Sequence, residues 1–174
     1  DPVEALAKML LGLPARFPEI SKNADLNRQY DQVVARAESR LNDYIVAEIP
    51  IPVIYQMMAQ MQFNEGQSDK AFETLAAGLK LDTKVDAKRR YQLNDLHQLA
   101  ASRAVRENRY DEAQPHIEVL LRNERTAALG YFLQGTIALR QGEDQKAIEL
   151  FNKARSIVGD TPAIQMSLAE CYRN

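Results

Sequence analysis

Residues 128–162, ALGYFLQGTIALRQGEDQKAIELFNKARSIVGDTP, decide the fold, because their pattern returns along the chain. Apolar residues recur at helical spacing on both sides of Gly142, a residue type that accepts the left-handed backbone of a tight turn at little cost. Small residues stand at Gly135, Ala138, Ala147 and Ala154, with one bulky ring at Phe151. Two short helices joined by so short a turn must run antiparallel, and their close approach needs small residues facing large ones.

The same arrangement appears upstream. Ala71, Ala113 and Ala147 each open the inward face of a second helix, and the last two are separated by a period of about 34 residues. In that register Gly66, Asn108 and Gly142 occupy the turns, all residue types that tolerate positive φ. Ala59, Ala101 and Gly135 hold the small position of the first helices, and Ala169 follows Gly135 at the same period. A helix pair recurring at this interval resembles the tetratricopeptide repeat. The resemblance covers roughly residues 52–174 and is imperfect in each unit: His97 and Tyr131 stand where the family often has Trp, and Gly78 replaces a late alanine. The closing proline is missing from its usual position, Pro162 falling shortly after it.

The resemblance implies an all-α, right-handed α-solenoid of helix-turn-helix repeats, with two extra N-terminal helices in front. Residues 1–51 then form a packing and capping segment, followed by repeats over about 52–82, 83–127 and 128–161 and a partial repeat over 162–174. A fragment opening at Asp1-Pro2 is expected to be cut from a longer protein, with any targeting signal outside it and a cytoplasmic setting as the working expectation.

Composition agrees with a folded helical domain: 174 residues, 45% hydrophobic, with few Gly and Pro. A formal charge of −2 argues against nucleic acid or an anionic membrane as the main partner, since both reward a basic face. No apolar run reaches the roughly 18–20 residues that a spanning helix needs. The single cysteine, Cys171, has no disulfide partner and reads as a small core residue.

In the N-terminal segment, Val3, Leu6, Met9, Leu10 and Leu13 predict a short helix, which Pro14 and Pro18 interrupt. Asn23 or Asp25 can cap a second, longer helix with an apolar stripe from Leu26 through Ala37 and Leu41 to Ile45. The Ile49-Pro50-Ile51-Pro52 run ends it, because residues before proline avoid the α region. The interval from Ala71 to Ala113 exceeds the repeat period by about two helical turns, so an insert enters there. Thr83 and Asp86 resemble a capping box, and the insert is expected to extend the first helix of the second repeat and project from the stack.

The resemblance also implies a concave groove lined by the first helices. In the first repeat its positions are Val53, Gln56, Met57, Gln60, Phe63 and Asn64. In the second they are Asp95, Gln98, Leu99, Ser102, Val105 and Arg106, and in the third Leu129, Phe132, Leu133, Thr136, Leu139 and Arg140. The Lys and Asn with which related proteins clamp an acidic C-terminus are replaced by Gln56 and Gln60, then Gln98 and Ser102. An apolar groove with scattered amides suits an amphipathic or extended peptide or protein segment. Alternatives are self-association through the repeat ends, with Leu168, Cys171 and the unfinished fourth repeat sealed by another copy, or a polymer-recognition arm of a larger enzyme or envelope complex.

His97 and His116 lack further ligands at zinc spacing, so no metal is expected, and neither a cofactor nor catalytic chemistry is legible. The Lys84, Lys88, Arg89 and Arg90 run is interleaved with Asp82 and Asp86 and reads as a solvated face.

Overall fold

The computed structural model describes residues 22–173, so the short helix expected over residues 3–13 lies outside the described residues. Among those described, the chain is all-helical, without strands. The described residues hold eight α-helices in chain order: α1 (Ala24–Val46), α2 (Pro52–Asn64), α3 (Ser68–Leu79), α4 (Gln92–Arg106), α5 (Tyr110–Leu121), α6 (Ala127–Arg140), α7 (Asp144–Val158) and α8 (Pro162–Arg173). They gather into two compact units, one up to Leu96 and one from His97, with the boundary inside α4.

In the first unit α1 begins at Asn23, whose side-chain Oδ1 accepts hydrogen bonds from the amides of Asp25 and Leu26 at 3.0 and 3.2 Å. These satisfy two donors that a helix start leaves unpaired. Ala37 and Leu41 carry the buried stripe of α1 against α2, whereas Leu26 at its start is exposed. Pro52 opens α2 at a position where a missing N–H costs nothing. The turn to α3 passes through Gly66 at φ +76°, and the two helices pack along Ala59, Ala71 and Leu75, all essentially without solvent contact. Gly78 is small for a stated reason: a Cβ there would lie 2.7 Å from Cβ of Tyr55.

The insert differs from its expected form. It does not lengthen α4, which starts only at Gln92; it makes two 3-10 turns, Asp82–Lys84 and Ala87–Arg89. Val85 between them is extended at φ −73°, ψ 130°, and is buried, as is Leu81. Asp86 accepts a hydrogen bond from the Lys88 amide at 3.0 Å, which ends one turn and begins the next. The two apolar anchors, Leu81 and Val85, with a capping aspartate after the second, hold the segment down where a continuous helix would have projected. Lys84 pairs with Glu48 at 2.9 Å and Arg90 approaches Asp82 at 3.8 Å, so part of the basic run is neutralised locally.

In the second unit α5 packs on α6, α6 on α7, and α7 on α8. Asn108 at φ +61° and Gly142 at φ +75° make the left-handed turns that their residue types predict. Ala138, Ala147, Phe151 and Ala154 form a core with Ile164, Leu168 and Cys171 of α8. Burial raises the Cys171 thiol pKa above its ordinary value, with the Asp144 and Glu170 carboxylates acting in the same direction. Phe151 lies directly over Gly135, where an added Cβ would come within 2.7 Å of the ring.

Gly135→Leu therefore overfills the α6–α7 contact, and a loss of about 1–3 kcal/mol or more is expected, read as a lower thermal midpoint by circular dichroism. An unchanged midpoint would contradict the pairing of these helices.

Candidate functional site

The groove positions implied by the repeat register fall on α2, α4 and α6. On α2, Met57 and Phe63 are buried, at 4% and 7% exposure, and Phe63 meets Phe72 edge to face with ring centroids 5.2 Å apart. Gln56 and Gln60 stay half-buried, and Gln60 donates to Asn64 at 2.9 Å. The apolar members of this set are thus covered by the protein itself, leaving the amides at the surface.

In the second unit the set is more open. Gln98, Leu99 and Ser102 of α4 are half-buried and Arg106 is exposed. On α6, Leu133 is buried, whereas Phe132 and Thr136 are half-buried. Phe132 lies against Phe151 with centroids 5.5 Å apart, so one side of its ring belongs to the core. The Thr136 hydroxyl donates to the Phe132 carbonyl at 2.9 Å, within its own helix.

Arg140 has a structural task. Its Nη1 donates to the carbonyl of Val105 and, at 3.1 Å, to Oδ1 of Asn108. The Val105 carbonyl already accepts the Asn108 amide at 3.2 Å, and a cation added at this terminal carbonyl complements the negative end of the helix. Arg140 therefore ties the end of α6 to the end of α4.

Two features escaped the sequence reading. His97 and His116 meet across α4 and α5 with Nδ1 to Nδ1 at 2.8 Å, one ring donating its N–H and the other accepting. Their ring centroids are 5.1 Å apart. The signal was present in the register, since the same separation along the chain relates Tyr55 to Thr74, at matching places on the helix pair of the first unit. Among the described residues no group of three or more His, Cys, Asp or Glu is arranged to hold a metal ion.

The second feature is a pocket of about 530 Å³ on the opposite side of α6 from the implied groove, lined from α5, α6 and α7. Gln134, Ile137 and Gln141 form its floor; Tyr110 and Gln114 stand on one wall, and Lys146, Glu149 and Lys153 on the other. It shares no residue with the groove set. Gln134 is the residue that could have signalled it: the matching places on the other first helices hold Met58, Ala100 and Leu168, all buried. A polar side chain stands there in place of a core residue, and the pocket opens beside it between α5 and α7. Lys146 is paired with Glu143 at 2.6 Å and Lys153 lies 5.6 Å from the centre of the Tyr131 ring, so both cations have local partners.

Among the described residues no helix is long and apolar enough to cross a membrane. In comparisons with known proteins, no family model, no curated protein and no solved structure matches this chain.

His116 sets a pH dependence. Burial lowers its pKa below the ordinary value near 6.5, and the Glu112 carboxylate opposes that shift only in part. The unfolded chain then binds the proton first as pH falls, so this group's contribution is full above about pH 6.5 and is lost as pH drops towards the folded-state value. Urea midpoints measured from pH 8 to 5 are expected to decline below about pH 6.5, and to decline less in His116→Gln. Equal slopes in the two proteins would show that His116 does not carry the effect.

Proposed function

We propose that this protein is a helical-repeat scaffold of tetratricopeptide type that binds a peptide or protein segment along the first helices of its pairs. The observation that carries the reading is the half-open row on α4 and α6: Leu99, Ser102, Phe132 and Thr136 each keep part of their surface in solvent on helices whose other faces are buried. Apolar side chains flanked by hydroxyl and amide groups can bury area for affinity while the polar atoms set orientation. The recurrence of left-handed turns at Gly66, Asn108 and Gly142, and of fully buried Ala71, Ala113 and Ala147, supports the repeat architecture.

The burial of Met57 and Phe63 concentrates this reading on the second unit. Arg140 is engaged by Val105 and Asn108 and is assigned to architecture, leaving Gln98, Leu99, Ser102, Phe132 and Thr136 as the proposed contacts. No catalytic step is part of the proposal, and the occupant is a protein or peptide, without a cofactor.

The test is affinity capture from an extract of the source cells, comparing the protein with a Leu99→Glu/Ser102→Arg variant shown by circular dichroism to remain folded. A protein retained by the parent and lost by the variant is the expected result. Identical captures would remove the groove as the binding surface.

A further inference from the structure

Helices α4 and α5 are tied at two places by different chemistry. At the turn between them the Arg109 amide donates to the Ala104 carbonyl at 2.8 Å and the Asn108 amide to the Val105 carbonyl at 3.2 Å. The Tyr110 hydroxyl donates to Oδ1 of Asn108 at 2.8 Å, and the Arg140 guanidinium bonds to Asn108 and Val105. None of these groups changes charge in mild acid. The second tie is the bond between His97 and His116, Nδ1 to Nδ1 at 2.8 Å. It stands about 12 Å along α4 from Val105. Between the two ties the buried residues of α4 are Ala100, Ala101 and Ala104, whose small side chains each bury little apolar area.

Two ring nitrogens in this contact share one proton. One ring donates its Nδ1–H and has its lone pair on Nε2; the other accepts at Nδ1 and has its hydrogen on Nε2. A first added proton goes to Nε2 of the donating ring and leaves the bond in place, now donated by a cation. A second has only the accepting Nδ1 to go to, where it removes the lone pair that makes the bond and sets two cations against each other. The closed pair therefore holds at most one positive charge, whereas separated rings hold two below about pH 6.5.

The charged groups around the pair are mixed in sign. Glu112 on α5 is the carboxylate whose field acts on the His116 ring, and Arg109 pairs with it at 2.8 Å. Asp95 and Arg103 flank His97 along α4. Helix α6, which packs on α5, bears Tyr131 and Arg140 as its titratable side chains, and Arg140 is engaged at the turn. Burial lowers the His116 pKa in spite of Glu112, which also disfavours the added charge while the pair is closed.

We propose that the His97–His116 bond is an acid-released latch: uptake of the second proton parts α4 from α5 at the histidines, while the turn stays tied. Leu99 and Ser102 lie between the two ties, so an effect of acid on an occupant of their row rests on the function proposed above; the opening itself does not.

The chain contains two histidines, so every imidazole signal belongs to this pair. Long-range proton–nitrogen correlation spectra at about pH 7.5 are expected to show one ring with its hydrogen on Nδ1 and the other on Nε2. Two rings of the same tautomer overturn the bond. Amide hydrogen exchange, corrected for its intrinsic rate, is then followed by mass spectrometry at about pH 7.5 and 5.5. The form that binds one more proton is favoured by up to about tenfold per pH unit below 6.5, so protection over residues 97–120 is expected to fall about tenfold between the two conditions. Protection over residues 144–158 is expected to stay as it was. A His97→Gln/His116→Gln variant retains groups that can bond but takes up no proton in this range, and it is expected to lose the response. If circular dichroism shows that it does not fold, His116→Gln alone is read in its place. No fall over 97–120, an equal fall over 144–158, or a fall that the variant keeps overturns the latch.

Discussion

The close approach of two antiparallel helices is the constraint on which the structure rests. A loop of a few residues leaves no freedom to place the helices apart, so each pair must admit a bulky side chain from one helix into a gap on the other. Gly135 accepts Phe151 in this way, and Gly78 accepts Tyr55 with the roles of first and second helix reversed. Ala71, Ala113 and Ala147 lie at the start of the same contacts without solvent exposure. Interiors are close-packed, and a side chain larger by a few atoms at any of these positions has nowhere to go. The left-handed turns at Gly66, Asn108 and Gly142 are the backbone counterpart of that constraint.

Polar groups are used inside this frame as cross-links. Gln62 and Thr74 join α2 to α3, and His97 and His116 join α4 to α5. Arg140 joins the end of α6 to that of α4. Each of the first two links a first helix to the second helix of its pair, and Thr74 and His116 stand at matching places in the two pairs. A buried polar group without a partner is costly, so such bonds penalise alternative registers more than they add stability. The histidine link differs from the amide–hydroxyl link in one respect: it depends on a proton and weakens as acid supplies a second one.

The same physics separates surfaces that are spent from those left open. Met57 and Phe63 look on the sequence like Leu99 and Phe132, yet the first two are covered by the protein and the latter two keep solvent contact. On α8 the division runs along one helix, with Leu168 and Cys171 inside and Met166 and Tyr172 outside. Periodicity marks all of these residues as apolar-face positions. Which of two apolar faces meets a neighbour is set by the helices that arrive, and one helix cannot encode that alone.

What the sequence by itself determined was the helical character, the sites of the turns and the small residues at the helix crossings. These follow from local spacing, from the steric freedom of Gly and Asn, and from the absence of a side chain where helices touch. A cap at Asn23 or Asp25, of which the structure uses Asn23, and a break at the Ile49–Pro52 run were legible for the same reason. Tertiary structure alone decided the course of the insert, where burial of Leu81 and Val85 prevailed over a continuous helix. It also decided the meeting of His97 with His116, the capture of Arg140 by Val105 and Asn108, and the pocket beside Gln134. Each depends on which side chains from distant parts of the chain come within about 3–4 Å of one another, a matter of three-dimensional arrangement that residue spacing constrains without specifying.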